Sequence, residues 1–163
     1  MALSFEVLLL PLFVFHQLSS SDGLSWRNCR GGEEPVTLKN MTVQPDPIKI
    51  PGQILLEGTA YVAESLTLLK AEVTIHKKLL FWWKLPCSDS ECTFDLCKPL
   101  HLGPSCSVSS GFLYFPPTKF NIPKQLISTY WASGQYKATI DLKSPKANVG
   151  CIELYFSIEQ DEQ

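Results

Sequence analysis

The chain has 163 residues, a net charge of −2 and 45% hydrophobic side chains, enough for one domain with a sizeable core. The balance is near neutral, no basic run extends beyond Lys77-Lys78, and neither the basic patch nor the recognisable module that a nucleic-acid partner requires appears in the sequence.

The first element in chain order is apolar. Val7 to Phe15 is an uncharged run followed by Ser19, Ser20 and Ser21, the pattern of a secretory signal over residues 1–20. It is shorter than the roughly 20 residues a membrane-spanning helix needs. One domain, residues 21–163, is the expected mature chain. Export makes the six cysteines Cys29, Cys87, Cys92, Cys97, Cys106 and Cys151 read as three disulfides, with 15 pairings open. Metal binding is disfavoured, because no Cys-x-x-Cys pair occurs and His101 is the only histidine near the cluster.

Ser21 to Trp26 reads as a loose leader reaching Cys29. Val36 to Val43 is the first predicted strand, and neither of its faces is cleanly apolar. It carries the sequon Asn40-Met41-Thr42, an N-glycosylation acceptor in an exported chain, with Asn40 on the strand face of Val36 and Leu38. Pro45, Pro47 and Pro51-Gly52 punctuate short extended pieces. Ile54 to Val62 is a largely apolar strand. From Thr67 to His76, Leu69, Ala71, Val73 and Ile75 alternate with Lys70, Glu72, Thr74 and His76, which predicts a sheet with one dry face. Phe112 to Phe115 is a short strand ended by Pro116-Pro117. Gly134 opens a strand in which Tyr136, Ala138, Ile140 and Leu142 face one way. Ile127 to Trp131 allows a brief helical turn. Cys151 to Ile158 is the last strand, with Ile152, Leu154, Phe156 and Ile158 on one side. The fold class is all-β, a sandwich or cup of about seven to nine strands.

Leu79-Leu80-Phe81-Trp82-Trp83 lacks polar alternation, so some of these side chains either enter the core or meet something apolar. Adjacent residues of a strand point oppositely, so at least one of Trp82 and Trp83 lies outside the core or in a loop. Tryptophan suits a lipid–water boundary, and Lys77, Lys78 and Lys84 suit anionic headgroups. Tyr130-Trp131 is a second aromatic pair for the same rim. Leu80, Phe81, Trp82, Trp83, Tyr130 and Trp131 are therefore the candidate lipid and membrane contacts. Catalysis has no comparable support. With His16 in the leader, only His76 and His101 remain as neutral-pH bases, and there is no Gly-x-Ser-x-Gly or His-Glu-x-x-His motif.

Three clusters, Ser25-Trp26-Arg27-Asn28-Cys29, Gln44-Pro45-Asp46-Pro47-Ile48 with Pro51-Gly52, and Lys84-Leu85-Pro86-Cys87 ahead of Cys92-Thr93-Phe94 and Cys97, together resemble the ganglioside-activator group of the lipid-recognition β-cup (ML) family. The resemblance runs from about Ser25 to Ile158. It implies a β-cup or immunoglobulin-like sandwich of two antiparallel sheets around an apolar lipid cavity. It implies the pairs Cys29–Cys151, Cys87–Cys92 and Cys97–Cys106. Close family members carry a fourth disulfide in a longer loop between the last two positions, and this chain has neither of those cysteines. The resemblance further implies a non-enzymatic protein of the secretory pathway, lysosomal or secreted. Such a protein needs no cofactor. It takes a glycosphingolipid or other two-chain lipid from a membrane surface and presents it to β-hexosaminidase A. The alternatives are a lipid carrier that does not activate the hydrolase and a secreted interaction module with a protein partner.

Overall fold

Period-two alternation builds the architecture. The computed structural model describes residues 23–122 and 133–160, with the side chains of residues 90, 91 and 122 left aside. In chain order the elements are β1 (Ser25–Asn28), β2 (Val36–Gln44), β3 (Ile48–Ile50), β4 (Gly52–Val62), β5 (Leu66–Thr67), β6 (Lys70–Lys78), β7 (Trp82–Lys84), the single turn α1 (Asp89–Cys92), β8 (Thr93–Asp95), β9 (Ser107–Val108), β10 (Gly111–Ile122), β11 (Gly134–Lys143) and β12 (Asn148–Gln160). The signal segment, Tyr130-Trp131 and the Ile127–Trp131 turn lie outside the described residues.

Two main sheets form. The larger runs β1-β12-β11-β6-β7, with β3 parallel to the far end of β12 and β8 on the edge of β6. The smaller runs β10-β4-β2, and β5 with β9 makes a short separate ladder. Register brings Ala71, Val73 and Ile75 opposite Leu142, Ile140 and Ala138, which in turn face Gly150, Ile152 and Leu154. All of these point at the smaller sheet, while Glu72, Thr74, His76, Lys137 and Glu153 line the outer face. This is the all-β, two-sheet fold that the alternation predicts.

The two ends of the sandwich differ. At one end Val36, Leu38, Ala60, Val62, Leu69, Ala71, Val108 and Val149 are buried together. The Asn28 side chain bridges the sheets there: Nδ2 donates to the Leu38 carbonyl at 3.0 Å and Oδ1 accepts from the Leu38 amide at 2.9 Å. Gly150 sits where a Cβ would lie 2.8 Å from the Val36 carbonyl oxygen, so the backbones of the two sheets are nearly in contact. Towards the other end the inward residues Ile54, Leu56, Val73, Ile75, Leu154 and Phe156 are only half-buried. A second buried cluster of Val43, Ile48, Ile50, Leu85, Tyr136 and Ile158 lies on that side. Tyr136 is fully enclosed and stacked on Phe156 at 5.7 Å; burial pushes its hydroxyl up to about 12.

Several sequence expectations are corrected. The leader is ordered from Ser25, where β1 pairs with β12 as an edge strand. The Thr67–His76 strand is two elements, because Leu68 adopts φ 51° and turns the chain between β5 and β6. Pro116-Pro117 does not end its strand. β10 continues to Ile122 through a bulge between Phe115 and Thr118, which an edge strand tolerates because its outer N–H groups have no ladder to serve. Asn40 does not share a face with Val36 and Leu38. A bulge between Leu38 and Asn40 reverses the alternation, so Met41 and Val43 turn inward and Asn40 is exposed.

Candidate functional site

The strand pair β6–β7 ends in a three-residue tip, Leu79-Leu80-Phe81, closed by a 3.0 Å hydrogen bond from the Leu79 amide to the Phe81 carbonyl. Lys78 pairs with Trp82 at its base. Nothing polar is present to make this tip favourable in water. Leu80 is 99% exposed, Leu79 and Phe81 are each 62% exposed, and Trp83 is 52% exposed. Phe81 and Trp83 lie with ring centroids 5.9 Å apart and form one apolar knob. A contiguous exposed apolar tip marks a contact surface.

The pleat separates the two tryptophans. Trp83 opposes Lys77 and Trp82 opposes Lys78, so they occupy opposite faces of the sheet. Trp82 is half-buried on the outer face, edge-on to Tyr155 at 6.1 Å, with Lys78 Nζ 5.9 Å and Lys137 Nζ 5.6 Å from its ring centre. A shallow cleft of about 450 Å³ runs beside it, lined by Ser25, Lys78, Trp82, Gln135, Tyr155 and Ser157 among others. One register row crosses this face as Ser25, Tyr155, Lys137, His76 and Lys84. Burial, with the charges of Lys137 and Lys84, holds the His76 imidazole below its ordinary range, and its Nδ1 is buried with no hydrogen-bond partner among the described residues. Glu153 is pushed up by burial, but hydrogen bonds from Arg27 and Tyr155 and the charges of Arg27 and Lys137 outweigh that and leave it low. The outer face next to the tip therefore carries Lys78, Lys84 and Lys137, while Glu153, farther along β12, is engaged by Arg27 and Tyr155.

Three disulfides hold this frame. Cys29–Cys151 ties the end of β1 to β12, where the Cys29 amide also donates to the Cys151 carbonyl at 2.9 Å. Cys87–Cys92 encloses α1, and Cys97–Cys106 closes the following loop. The described residues hold one cysteine–carboxylate cluster, Asp95 with Cys97 and Cys106. Both of its sulfurs are in the disulfide, and Asp95 Oδ1 accepts the Cys97 amide at 2.7 Å. His101 is exposed on the far loop, separate in the chain from the β6 strand that carries His76. Of the candidate contacts read from sequence, Leu80, Phe81 and Trp83 come together at the tip, and Trp82 belongs to the outer face. Tyr155 and Lys137 were missed as its partners. Their only signal was that they alternate with inward residues, which says which face they occupy and not what they meet.

No family model matches the chain. The ganglioside GM2 activator of Mus musculus is 29% identical over 165 aligned positions, covering 88% of this chain and 86% of that protein. The ganglioside GM2 activator of Macaca fascicularis is 27% identical, covering 87% and 86%. Among solved structures, a Niemann-Pick type C2 protein from Japanese carpenter ant superposes with a TM-score of 0.55 at 14% identity, over 83% of this chain and 99% of that one. Chicken MD-1 complexed with lipid IVa superposes with a TM-score of 0.51 at 15% identity, over 82% and 88%. The chain is homologous to the GM2 activators and has the β-cup fold of the other two. Both of these sequence relatives are named as activators.

Proposed function

We propose that this protein is a lipid carrier that docks its β6–β7 tip on a membrane and takes a two-chain lipid between its sheets. The observation that carries this reading is the asymmetry of the interior. One end is drawn together by Gly150, Asn28 and a buried core, while towards the other end Ile54, Leu56, Val73, Ile75, Leu154 and Phe156 are only partly buried beside the second cluster. A lipid leaving a bilayer exposes about 0.8 kcal/mol of unfavourable surface per CH₂. Partly buried inward residues are the surface that offsets this. The tip supplies the approach: Leu79, Leu80, Phe81 and Trp83 enter the acyl boundary while Lys78 and Lys84 stay among headgroups. No covalent step is required.

The homology to GM2 activators makes a glycosphingolipid, a monosialoganglioside first, the favoured cargo, and presentation to β-hexosaminidase A the favoured outcome. Residues 1–20 serve as the signal peptide and 21–163 as the lipid-binding domain, with lysosome or extracellular fluid as the destination. Tyr130 and Trp131, which lie outside the described residues, are carried from the sequence as further candidate lipid contacts. Native mass spectrometry of the secreted protein after incubation with mixed ganglioside liposomes tests the carrier reading. A one-to-one ganglioside complex is expected, and protein recovered empty overturns it. Added hexosaminidase A then separates an activator from a carrier that does not activate.

A further inference from the structure

The smaller sheet turns an aromatic surface to solvent where a two-layer fold ordinarily shows polar side chains. On its outer face Phe112 is 75% exposed, Tyr114 61% and Tyr61 40%. Phe112 and Tyr61 stand opposite each other in register and pack edge to face at 5.3 Å, with Lys39 Nζ 5.9 Å from the Tyr61 ring. These rings are far in the chain from the β6–β7 tip, and the uptake of lipid between the sheets makes no use of them.

Asn40 belongs to the same surface. Register runs Asn40–Thr59–Tyr114 across the three strands, and the next row on that face is Thr37–Tyr61–Phe112, of which Tyr61 and Phe112 are exposed and Thr37 is buried. Asn40 is thus a diagonal neighbour of Tyr61, and it stands two strand spacings, about 10 Å, from Tyr114. Only the short side chain of Thr59 stands between. This placement depends on the β2 bulge, since an unbroken strand would turn Asn40 inward beside Leu38. Gly58 makes the bulge possible: a Cβ there would meet the Asn40 carbonyl oxygen at 2.7 Å. The hydroxyl residue of the sequon, Thr42, also faces outward, and its Oγ1 donates to Glu57 Oε1 at 3.0 Å. Backbone geometry and sequon therefore converge on one exposed asparagine beside three exposed rings.

We propose that Asn40 carries an N-linked glycan whose inner N-acetylglucosamine residues lie across Thr59 and stack on Tyr61, Tyr114 and Phe112. A pyranose ring has an apolar C–H face that matches the electron-rich face of an aromatic ring, and its rim of hydroxyls stays in water. The inner disaccharide is long enough to cross the two strand spacings, and it is tethered at the edge of the patch, so no association cost opposes the contact. The glycan thereby covers an aromatic surface that would otherwise invite self-association. It does so on the outer face and leaves the mouth between the sheets free. The inference requires export but not lipid binding, so it stands or falls separately from the carrier reading.

The test uses the full-length precursor secreted from glycosylating cells, with intact mass to establish occupancy and ¹³C-labelled sugars for NMR. Stacking places the N-acetyl methyl protons of the inner sugars upfield of their position in the free glycopeptide, through the ring currents beneath them. A Phe112→Ser/Tyr114→Ser variant, altered only at exposed side chains, returns those signals towards the free position while the glycan mass is unchanged. Asn40→Gln removes the signals and raises the self-associated fraction in sedimentation velocity at least severalfold. An unmodified Asn40, or a wild-type glycan with free-glycopeptide shifts, overturns the proposal. So does a glycosylated protein that dimerises through this face, which would make a second copy the occupant.

Discussion

Removing the apolar tip is the sharpest perturbation of the carrier mechanism. Leu80→Ser with Phe81→Ser deletes side chains that are 99% and 62% exposed, so the substitution touches little of the folded interior. Full burial of a leucine or phenylalanine is worth about 1.5–3 kcal/mol, and scaling by exposure puts the loss on membrane insertion at about 2.5–5 kcal/mol if both chains insert completely. Partial insertion into the interface halves this at most, to about 1.2–2.5 kcal/mol, which is still roughly 8- to 60-fold in partitioning. The assay is flotation with neutral and anionic liposomes, paired with thermal unfolding. Unfolding should stay within about 0.5 kcal/mol of wild type, as for surface changes generally. Liposome binding that is unchanged in the double variant, with an unchanged melting temperature, refutes the assignment of the tip to the membrane.

Two further perturbations address the frame. Asn28→Ala leaves the Leu38 amide and carbonyl without their bridging carboxamide, and a loss of about 1–3 kcal/mol is expected in urea or thermal unfolding; a stability equal to wild type would show that the sheets close without this clamp. His76 has a folded pKa depressed by burial and by Lys137 and Lys84, while the unfolded chain protonates it near 6.5. Its contribution to stability is therefore complete above that pH and is lost as the pH falls from about 6.5 towards the folded value. His76→Gln should flatten the stability profile between neutral and mildly acidic pH, and identical profiles for the two proteins would remove His76 from that account.

How much of this was readable beforehand depended on the length of each element. β6, β11 and β12 have 9, 10 and 13 residues, so two-residue periodicity repeats often enough to declare which face is dry. β3, β5, β7, β8 and β9 have two or three residues each and contain no period to detect; only their partners make them strands. β2 was long enough but was read with one parity throughout, although Val36 and Leu38 are even-numbered and Met41 and Val43 odd. That switch is the mark a bulge leaves in a sequence. Pro116-Pro117 misled for the opposite reason, since a stop signal in a central strand is compatible with an edge strand. At the tip, adjacency alone assigned Trp82 and Trp83 to opposite faces, but which of them met Tyr155 and Lys137 required the register.

The interior obeys a different logic, because Val73, Ile75, Leu154 and Phe156 have the same alternation whether they fill a core or line a space. What decides between these is how far apart the sheets stand, and a few residues control that distance. Glycine at 150 allows backbone to approach backbone, and asparagine at 28 presents both an amide and a carbonyl to one residue of the opposite sheet. The Cys29–Cys151 bond, which on the chain-entropy model contributes about 5 kcal/mol for so long a loop, secures β1 beside β12 at that same end. The devices that draw the sheets together thus lie at the end away from the exposed tip. A sandwich pinned at one end and lined with partly buried apolar side chains towards the other follows from where Asn28, Cys29 and Gly150 stand, and it requires no departure from ordinary strand periodicity.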